Sequence, residues 1–336
     1  MPRARRDLAT SGAGANRAPN RPRLGLFLPT IEGLLGDGWA PAWSELREIA
    51  RTAETIGFDA LFVPDHLLMR GSRYWGIPET TTRGAWELWT TLSALAAATE
   101  RVALGPFVAA SSFREPALLA KAADTLDEVS GGRLVLGLGS GSHPPEYAAF
   151  GYPDDHLAGR FDEALRIAVP LLRDGRADFE GRYYRVRDCE LRPRGPRPGG
   201  PGGQTVPVWI AGFGPRLIRL AARWADGFIT AWHATPAALA APFAALGAAC
   251  ADVGRDSATV ERIVGAIVDL DGAAGSGRPA LAGPPEAIAE GLRALHAAGA
   301  DHVVCQLVPR HLGGVERFRP VLEALRGTDP SPNPSP

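Results

Sequence analysis

The stretch LDEVSGGRLVLGLGSG, residues 126–141, contains one full unit of the repeating pattern that decides the fold. A helical pattern ends at Gly131-Gly132, where glycine accepts the left-handed conformation that ends many helices. Leu134–Leu138 follows as a short apolar run, typical of a strand that is buried on both faces. Small and polar residues, Gly139-Ser140-Gly141, come directly after it. Helix, tight turn, buried strand and polar loop therefore follow one another in this order.

The same order recurs along the chain. Seven further apolar runs predict buried strands: Leu24–Leu28, Ala60–Val63, Val102–Leu104, Val208–Ala211, Phe228–Thr230, Ile263–Val268 and His302–Leu307. Helical patterns with apolar residues on one face separate them. The clearest are Glu115–Ser130, with Leu119, Ala122, Ala123, Leu126 and Val129, and a last helix with Val315, Phe318, Val321, Leu322 and Leu325. Eight strands alternating with helices predict an α/β protein with a parallel sheet closed into a (β/α)8 TIM barrel.

The loops at the two ends of the predicted strands differ. Turns that lead into strands are short and carry Gly or Asp: Gly57-Phe58-Asp59, Gly131-Gly132-Arg133, Ala225-Asp226-Gly227 and Gly299-Ala300-Asp301. Segments that leave strands are longer and carry His, Asp, Ser and Trp, as expected where barrel enzymes build their active sites. One insertion, at 176–206, interrupts the pattern, and its Phe179–Val186 portion predicts a small hairpin with Gly181 at the turn.

Composition excludes several classes of protein. With 36 basic and 37 acidic residues the net charge is −1, so a nucleic-acid binder that works through a bulk basic surface is excluded. The longest apolar stretch, Ala237–Ala251, is shorter than the ~20 residues that span a bilayer, which predicts no membrane partner. The three cysteines form no C-x-x-C pair, which fits a reducing, cytoplasmic location.

The two ends of the chain lack apolar periodicity. Residues 1–22 contain five arginines among Gly, Ala, Asn and Pro, and predict a disordered leader; a basic arm that binds nucleic acid is the alternative. Residues 328–336 predict a disordered tail. The segment 23–327 between them is expected to form a single barrel domain.

Candidate site residues follow the predicted strands. The second strand ends at Pro64-Asp65-His66, which places an acid and a base at the barrel mouth; a helix cap beside a solvated histidine is the alternative. After the fourth strand, His143 and Tyr147 lie one helical turn apart, so both side chains could point at one anion. After the fifth, Gly212-Phe213-Gly214-Pro215 precedes a helix whose exposed N–H groups could hold a phosphate.

Four ring side chains in these loops are candidates for the walls of a substrate pocket, and packing aromatics are an equal alternative. They are Trp39 and Trp75, after the first two strands, and Trp232 and His233, after the sixth.

From Arg23 to Arg326 the sequence resembles the luciferase-like oxidoreductases, which use FMN or the deazaflavin coenzyme F420. The blocks that carry the resemblance are GFDALFVPDH (57–66), FREPALLAK (113–121), LDEVSGGRLVLGLGSG (126–141) with Glu146-Tyr147 and Phe150-Gly151, FEGRYY (179–184) and VPVWIAG (206–212). Each block alone is a weak signal. Their occurrence in the family's order is a specific one.

The resemblance implies a cofactor ring held in the barrel mouth, with Phe107-Val108 at the position of a non-proline cis peptide that supports its central ring. It also implies a set of cofactor-binding residues. This set is Asp65, His66, Phe107, Val108, Ser140, Gly141, His143, Tyr147, Gly212, Phe213, Gly214 and Pro215, of which the last eight would bind the ribityl phosphate. Phe213 departs from the pattern, because many relatives have a small residue such as Ser there.

The implied activity is an oxidoreductase acting on a small organic substrate, by F420-dependent hydride transfer or by oxygenation with reduced FMN and O₂. His66 is the predicted catalytic residue, since histidine can give or take a proton near neutral pH. The GC-rich coding style favours F420 by association with actinobacteria. The family also implies a homodimer, and a flavin or F420 reductase as the source of reduced cofactor.

Two other functions are alternatives. A metal-dependent hydrolase on the same barrel would need clustered ligands such as H-x-H at a strand end, and the sequence has no H-x-H. A non-catalytic flavin-binding protein would keep the scaffold without needing the Asp65-His66 pair. The sequence does not name the substrate, because specificity in such barrels lies in loops, here 33–40, 69–84 and 175–207.

Overall fold

The computed structural model describes residues 21–34, 38, 40–72, 76–195, 205–272 and 278–327. The predicted tail, Trp39, Trp75 and nearly all of the predicted leader lie outside the described residues. Within them, none of the helices is both long and apolar enough to cross a bilayer.

The strands and helices are numbered in chain order. The strands are β1 Arg23–Phe27, β2 Ala60–Val63, β3 Leu68–Ser72, β4 Ile77–Gly84, β5 Ala103–Pro106, β6 Ala109–Ala110, β7 Leu136–Gly139, β8 Arg176–Glu180, β9 Arg185–Glu190, β10 Val208–Ala211, β11 Gly227–Ala231, β12 Glu261–Asp269, β13 Ala280–Ala282 and β14 His302–Val308. The helices are α1 Trp43–Ile56, α2 Leu88–Ala98, α3 Pro116–Ser130, α4 Pro144–Phe150, α5 Leu157–Asp174, α6 Pro215–Trp224, α7 Ala237–Asp252, α8 Pro285–Ala297, α9 Leu312–Arg317 and α10 Arg319–Arg326.

One sheet of parallel neighbours forms the barrel, in the order β5-β2-β1-β14-β12-β11-β10-β7-β6, with β13 added beside β12. The short strands β5 and β6 lie on either side of Phe107-Val108 and together occupy one barrel position. A parallel bridge between Leu104 and Leu134 brings β5 next to the start of β7 and closes the circle. The predicted TIM barrel is confirmed.

The barrel interior is filled by side chains and is not a channel. Phe62 and Trp209 lie 5.7 Å apart at their ring centroids, and Phe62 contacts Phe107 at 5.7 Å. Aliphatic side chains such as Ile263 and Val304 complete this inner cluster. Because the lower barrel is packed, open space is confined to the carboxyl ends of the strands.

Several predictions about local structure are corrected. The stretch 69–84, predicted as a loop, contains the antiparallel hairpin β3–β4. The hairpin in the insertion is confirmed as β8–β9, with strands longer than the predicted Phe179–Val186. The predicted last helix is two helices, α9 and α10, because Pro320 in the first turn of α10 cannot continue the N–H ladder of α9.

The predicted buried face of α3 is partly wrong. Val129 is 52% exposed, whereas Asp127 and Ser130 are buried. Their polar atoms bond the chain at the barrel seam, the place where β5 meets the segment before β7 and the barrel closes. Asp127 Oδ1 accepts the Leu134 N–H at 3.1 Å, and Ser130 Oγ accepts the Arg133 N–H at 3.1 Å.

The predicted glycine turns before the strands hold in three of four cases. Gly57, Gly131 and Gly299 have φ of 104°, 71° and 106°. Gly227 is different, because it is the first residue of β11, and α6 ends at Ala225 with extended backbone. A Cβ at Gly227 would lie 2.4 Å from the Trp209 ring, so close packing and not a helix end requires glycine there.

Arg133 ties the barrel seam together from beneath. Its guanidinium donates to the carbonyls of Ser130, Val102, Ala96 and Thr99 and to the Thr99 hydroxyl, over 2.7 to 3.0 Å. The residue is only 6% exposed. One side chain thus supplies hydrogen bonds to the oxygen atoms at the end of α2, at the entry to β5 and at the end of α3.

Replacing Arg133 with Met should lower the free energy of unfolding by about 3 kcal/mol, because five acceptors lose their buried donor. Urea denaturation followed by circular dichroism measures the change. Arg101→Met is the matched control, since the Arg101 side chain is 62% exposed and lies 4.0 Å from Glu54. An equal loss in both variants would contradict the assigned role.

Candidate active site

A cavity of about 470 Å³ opens at the carboxyl ends of β2, β5, β7, β10 and β11. It lies on the face where barrel enzymes carry their sites, and its volume is in the range of small-molecule sites. The lining residues are Phe27, Pro64, Asp65, His66, Phe107, Val108, Ala110, Gly139, Ser140, Gly141, Ser142, Glu146, Ala211, Gly212, Phe213, Leu217, Ile229, Ala231 and Trp232.

His66 lines this cavity directly after β2, and a carboxylate orients its ring. His66 Nδ1 lies 3.0 Å from Glu146 Oε1, and the other oxygen, Oε2, accepts the Leu67 N–H at 3.0 Å. Since a carboxylate oxygen only accepts, the proton of this bond is on Nδ1. Nε2 is then the atom that can take up or release a proton. The Glu146 side chain is almost completely buried, whereas the His66 side chain is 18% exposed.

Asp65 points away from His66 and forms a separate network. Arg114 donates to both oxygens of its carboxylate, from Nη1 to Oδ2 at 2.6 Å and from Nη2 to Oδ1 at 3.2 Å. The Ala110 N–H also donates to Oδ2, at 2.9 Å. Burial raises the pKa of Asp65, while the Arg114 guanidinium opposes this shift. Although burial alone lowers the pKa of Arg114, the carboxylates of Asp65 and Glu87 raise it. Asp65 thus lines the cavity with its carboxylate already bonded to protein groups.

The floor of the cavity is apolar and aromatic. Phe107-Val108 is a cis peptide, as predicted, and Ala231-Trp232 is a second non-proline cis peptide that the sequence analysis missed. Phe27, Phe107 and Trp232 pack around one point, with ring centroids 5.6 to 6.2 Å apart. The Phe27 ring meets the other two edge to face, at 84° and 86°, and the three rings together give the cavity an apolar floor that a planar heterocycle can contact.

The segment after β7 brings Ser140 and Gly141 to the cavity, with Ser142 beside them. Gly141 has φ of 85°, and a Cβ there would lie 1.6 Å from the Tyr147 hydroxyl, so the chain needs glycine at this position. The backbone of this turn therefore approaches the cavity without a side chain between them.

His143 and Tyr147 do not converge on one point in the cavity, which corrects the predicted arrangement. Tyr147 is fully buried, its hydroxyl lies 2.6 Å from Ser112 Oγ, and burial raises its pKa to about 12. His143 Nε2 accepts the Arg70 N–H at 3.1 Å, and burial lowers the pKa of His143, which keeps it neutral. Both side chains thus connect the segment after β7 to neighbouring segments, His143 to β3 and Tyr147 to Ser112.

The segment after β10 is placed as predicted. Gly212 and Phe213 line the cavity, and Gly214 is the N-cap of α6, with Pro215 as its first residue. Phe213 is 72% exposed. Together with Ser140 and Gly141, this segment forms the polar, backbone-rich rim of the cavity.

Of the predicted pocket aromatics, Trp232 lines the cavity and His233 does not. His233 Nε2 is bonded to Thr230 Oγ1 at 2.8 Å, and burial lowers the pKa of His233. The described residues contain no group of three or more His, Cys, Asp or Glu side chains placed to share a metal ion.

Glu146 and Arg114 were missed as site residues, although both lie inside blocks of the family resemblance. Each is far in sequence from its partner: Glu146 is 80 positions after His66, and Arg114 is 49 positions after Asp65. The residue types could have indicated both roles. Glu146 is an acidic residue in the first turn of a helix that begins at the barrel mouth, and Arg114 is a basic residue close to the end of the strand after β2.

A family model described as luciferase-like monooxygenase matches residues 23–271. The chain belongs to the luciferase-like monooxygenase family. The match covers every barrel strand described above except β13 and β14.

Two kinds of luciferase-like relative are similar in sequence. The F420-dependent glucose-6-phosphate dehydrogenase of Intrasporangium calvum is 37% identical over 192 residues, 55% of this chain and 53% of that protein. The pyrimidine monooxygenase RutA of Stutzerimonas stutzeri is 30% identical over 248 residues, 69% of this chain and 64% of that protein. The chain thus spans about half the length of the dehydrogenases that it matches.

Solved structures of the same fold cover nearly the whole chain. An F420-dependent secondary alcohol dehydrogenase, in complex with an F420-acetone adduct, has a TM-score of 0.72 at 18% identity and covers 91% of this chain and 99% of its own. The EDTA monooxygenase EmoA from Chelativorans sp. BNC1 has a TM-score of 0.70 at 14% identity, covering 90% and 93%. At these identities the likeness shows the fold alone.

Replacing Asp65 with Asn should lower the free energy of unfolding by about 3 kcal/mol, because Arg114 keeps a buried charge without its main partner. Thermal and urea unfolding measure the loss. Asp162→Asn is the control, since it breaks an exposed pair with Arg166 one helical turn away and should leave stability nearly unchanged. A loss at Asp65 no larger than in this control would show that the buried pair does not hold the site.

Proposed function

We propose that this protein is an oxidoreductase that binds the deazaflavin F420 in the 470 Å³ cavity and transfers hydride to or from a small organic substrate. The observation that carries the proposal is a protonatable His66, oriented by a buried Glu146, facing an apolar floor and a backbone-rich rim. The similarity to F420-dependent dehydrogenases over half of the chain supports the choice of cofactor.

The cavity fits a flavin-like group in two respects. Its floor of Phe27, Phe107 and Trp232 suits a planar ring, and the Trp232 Nε1 has no hydrogen-bond partner among the described residues, so a donor is available there. We assign the phosphate to the rim formed by Ser140, Gly141 and the segment 212–215, whose backbone ends at the N-terminus of α6.

When bound, F420 supplies hydride chemistry, and this chain supplies position and a proton. Oxidation of an alcohol releases one hydride and one proton. His66 Nε2 accepts the proton from the substrate hydroxyl, and the Glu146 carboxylate stabilises the positive ring that results. In the reverse direction the same nitrogen returns the proton to the carbonyl oxygen.

Monooxygenation with reduced FMN is the second candidate. It is favoured by the similarity to the pyrimidine monooxygenase, which extends over 69% of this chain. The same cavity and the same His66–Glu146 pair would serve it, so the cofactor decides between the two activities.

Titration of the purified protein with F420 and with FMN, followed by absorbance and fluorescence, tests the proposal. We expect F420 to bind more tightly. Tighter FMN binding would replace hydride transfer with oxygenation, and binding of neither cofactor would overturn the assignment of the cavity.

Phe213→Ser should tighten the binding of that cofactor by about twofold to tenfold, because a hydroxyl is added where we assign the phosphate. The residue is exposed, so the fold should tolerate the change. Phe150→Ser, at another exposed phenylalanine that does not line the cavity, is the control. Unchanged or weaker binding in Phe213→Ser would place the phosphate elsewhere.

His66→Ala should lower the turnover number about 10²- to 10⁴-fold with little change in cofactor affinity, because the lost group moves a proton and does not hold the phosphate. Glu146→Gln should lower turnover less. Loss of cofactor affinity with normal turnover at saturation would remove His66 from the catalytic role.

A further inference from the structure

The start of α4 holds the chain that leaves β2. Glu146 bonds to the His66 ring and to the Leu67 N–H, each at 3.0 Å. His143, the N-cap residue of α4, accepts the Arg70 N–H of β3 on its Nε2 at 3.1 Å. Two side chains from the start of one helix therefore fix the beginning of the β3–β4 hairpin beside the barrel mouth.

The bond between His143 and Arg70 depends on the protonation state of the imidazole. A ring nitrogen accepts a hydrogen bond only while it carries no proton, and both ring nitrogens of a protonated histidine are donors. A backbone N–H is a donor at every pH, so protonation of Nε2 would bring two donors face to face. The neutral ring therefore keeps the hairpin bonded to α4, and the protonated ring cannot.

Charged groups on three sides of His143 affect its protonation. Burial lowers the pKa of His143 most, Glu146 on the same helix acts in the opposite direction, and His66 acts with burial. The His66 and His143 rings lie 6.5 Å apart at their centroids. On β3, the Arg70 side chain is directed to β4, where its Nε donates to Thr82 Oγ1 at 3.2 Å.

The far strand of the hairpin is attached to the loop after β1 by bonds between backbone groups. The Glu32 N–H donates to the Gly84 carbonyl at 3.0 Å, and an antiparallel bridge pairs Ile31 with Ala85. These groups do not titrate, so this attachment is independent of the charge on His143. The acidic Glu79 of β4 lies within the hairpin, against β3.

We propose that His143 is a pH-sensitive latch, meaning a residue whose hydrogen bond holds the β3–β4 hairpin on α4 only while its ring is neutral. Protonation in mildly acidic solution releases β3 from α4, while β4 stays attached to the loop after β1. The barrel mouth beside His66 then opens. The proposal goes beyond the proposed function and does not depend on a cofactor, because every group in it belongs to this chain.

The direction of the pH dependence follows from linkage. In the open hairpin the ring is solvated and has the ordinary histidine pKa of ~6.5. In the closed hairpin burial lowers the pKa of His143, so the closed form binds fewer protons than the open form. The latch is therefore fully effective above about pH 6.5, and it weakens by up to about tenfold for each pH unit below that value.

Hydrogen exchange of the full chain without cofactor tests the proposal. The protection factor of the Arg70 amide, measured by mass spectrometry with residue resolution, reports how often this bond opens. We expect it to fall about tenfold between about pH 7.5 and about pH 5.5 in the wild type. Protection that stays constant over this range would overturn the proposal.

Two variants separate a titrating latch from a merely structural contact. His143→Gln keeps an acceptor that does not titrate, so the Arg70 amide should stay protected at both pH values. His143→Leu has no acceptor, so protection should be low at both. Neither variant removes a helix cap, because the His143 side chain makes no capping bond to α4. A wild-type fall in His143→Gln, or wild-type protection in His143→Leu at the higher pH, would each overturn the proposal.

Two controls show whether the effect is specific and local. His156→Gln, at an exposed histidine beside Asp155 and Tyr183, should keep the fall seen in the wild type. The Glu32 amide, on the far side of the hairpin, should keep its protection at both pH values. Loss of the fall in His156→Gln would assign the switch to another group. A parallel fall at Glu32 would indicate general loosening of the barrel mouth, and either result would overturn the latch at His143.

Discussion

The buried ion pair between Asp65 and Arg114 is the interaction on which the site depends. Asp65 follows the second barrel strand, and its carboxylate accepts hydrogen bonds from both the Arg114 guanidinium and the Ala110 N–H. These contacts lock the end of β2 to the chain just beyond the cis peptide at Phe107. The backbone that aims His66 and the backbone that carries the cavity floor are therefore fixed by the same carboxylate. A charge placed in a low-dielectric interior demands such a complete set of partners.

Glycine on β7 makes the floor possible. A Cβ on Gly137 would lie 2.3 Å from the Pro106 carbonyl oxygen, and one on Gly139 would lie 2.8 Å from Val108. Side chains at either position would push the Pro106–Val108 segment out of the barrel. The alternating glycines of the stretch LGLG thus serve close backbone approach, and the turn that lines the cavity begins only after them, at Ser140.

The barrel mouth divides into two chemically different sides. Toward β7 and β10, short glycine-rich turns expose backbone and the start of α6. On the side of β11 and β12, the Arg278 guanidinium stands 5.6 Å from the centroid of the Trp232 ring. His66 and its partner Glu146 lie with the first side, where β2 and α4 meet. The cavity is thus bordered by backbone donors on one side and by a cationic side chain on the other.

The local pattern of apolar and polar residues determined the (β/α)8 barrel and its eight strands, because the alternation of buried strands and helices is a property of neighbouring residues. The same pattern determined the loop asymmetry and the strand ends at Asp65-His66 and 212–215. The face of α3 was misjudged at Val129, since Asp127 and Ser130 are buried to satisfy a seam that exists only once the barrel closes. Family resemblance added the cis peptide at Phe107 and the cofactor class. Only the tertiary structure decided that Glu146 orients His66, that Tyr147 faces Ser112 and not the cavity, and that Arg114 pairs with Asp65. The physical reason is common to all three: these contacts join residues far apart in sequence, and no local periodicity records which side chains a closed barrel brings together.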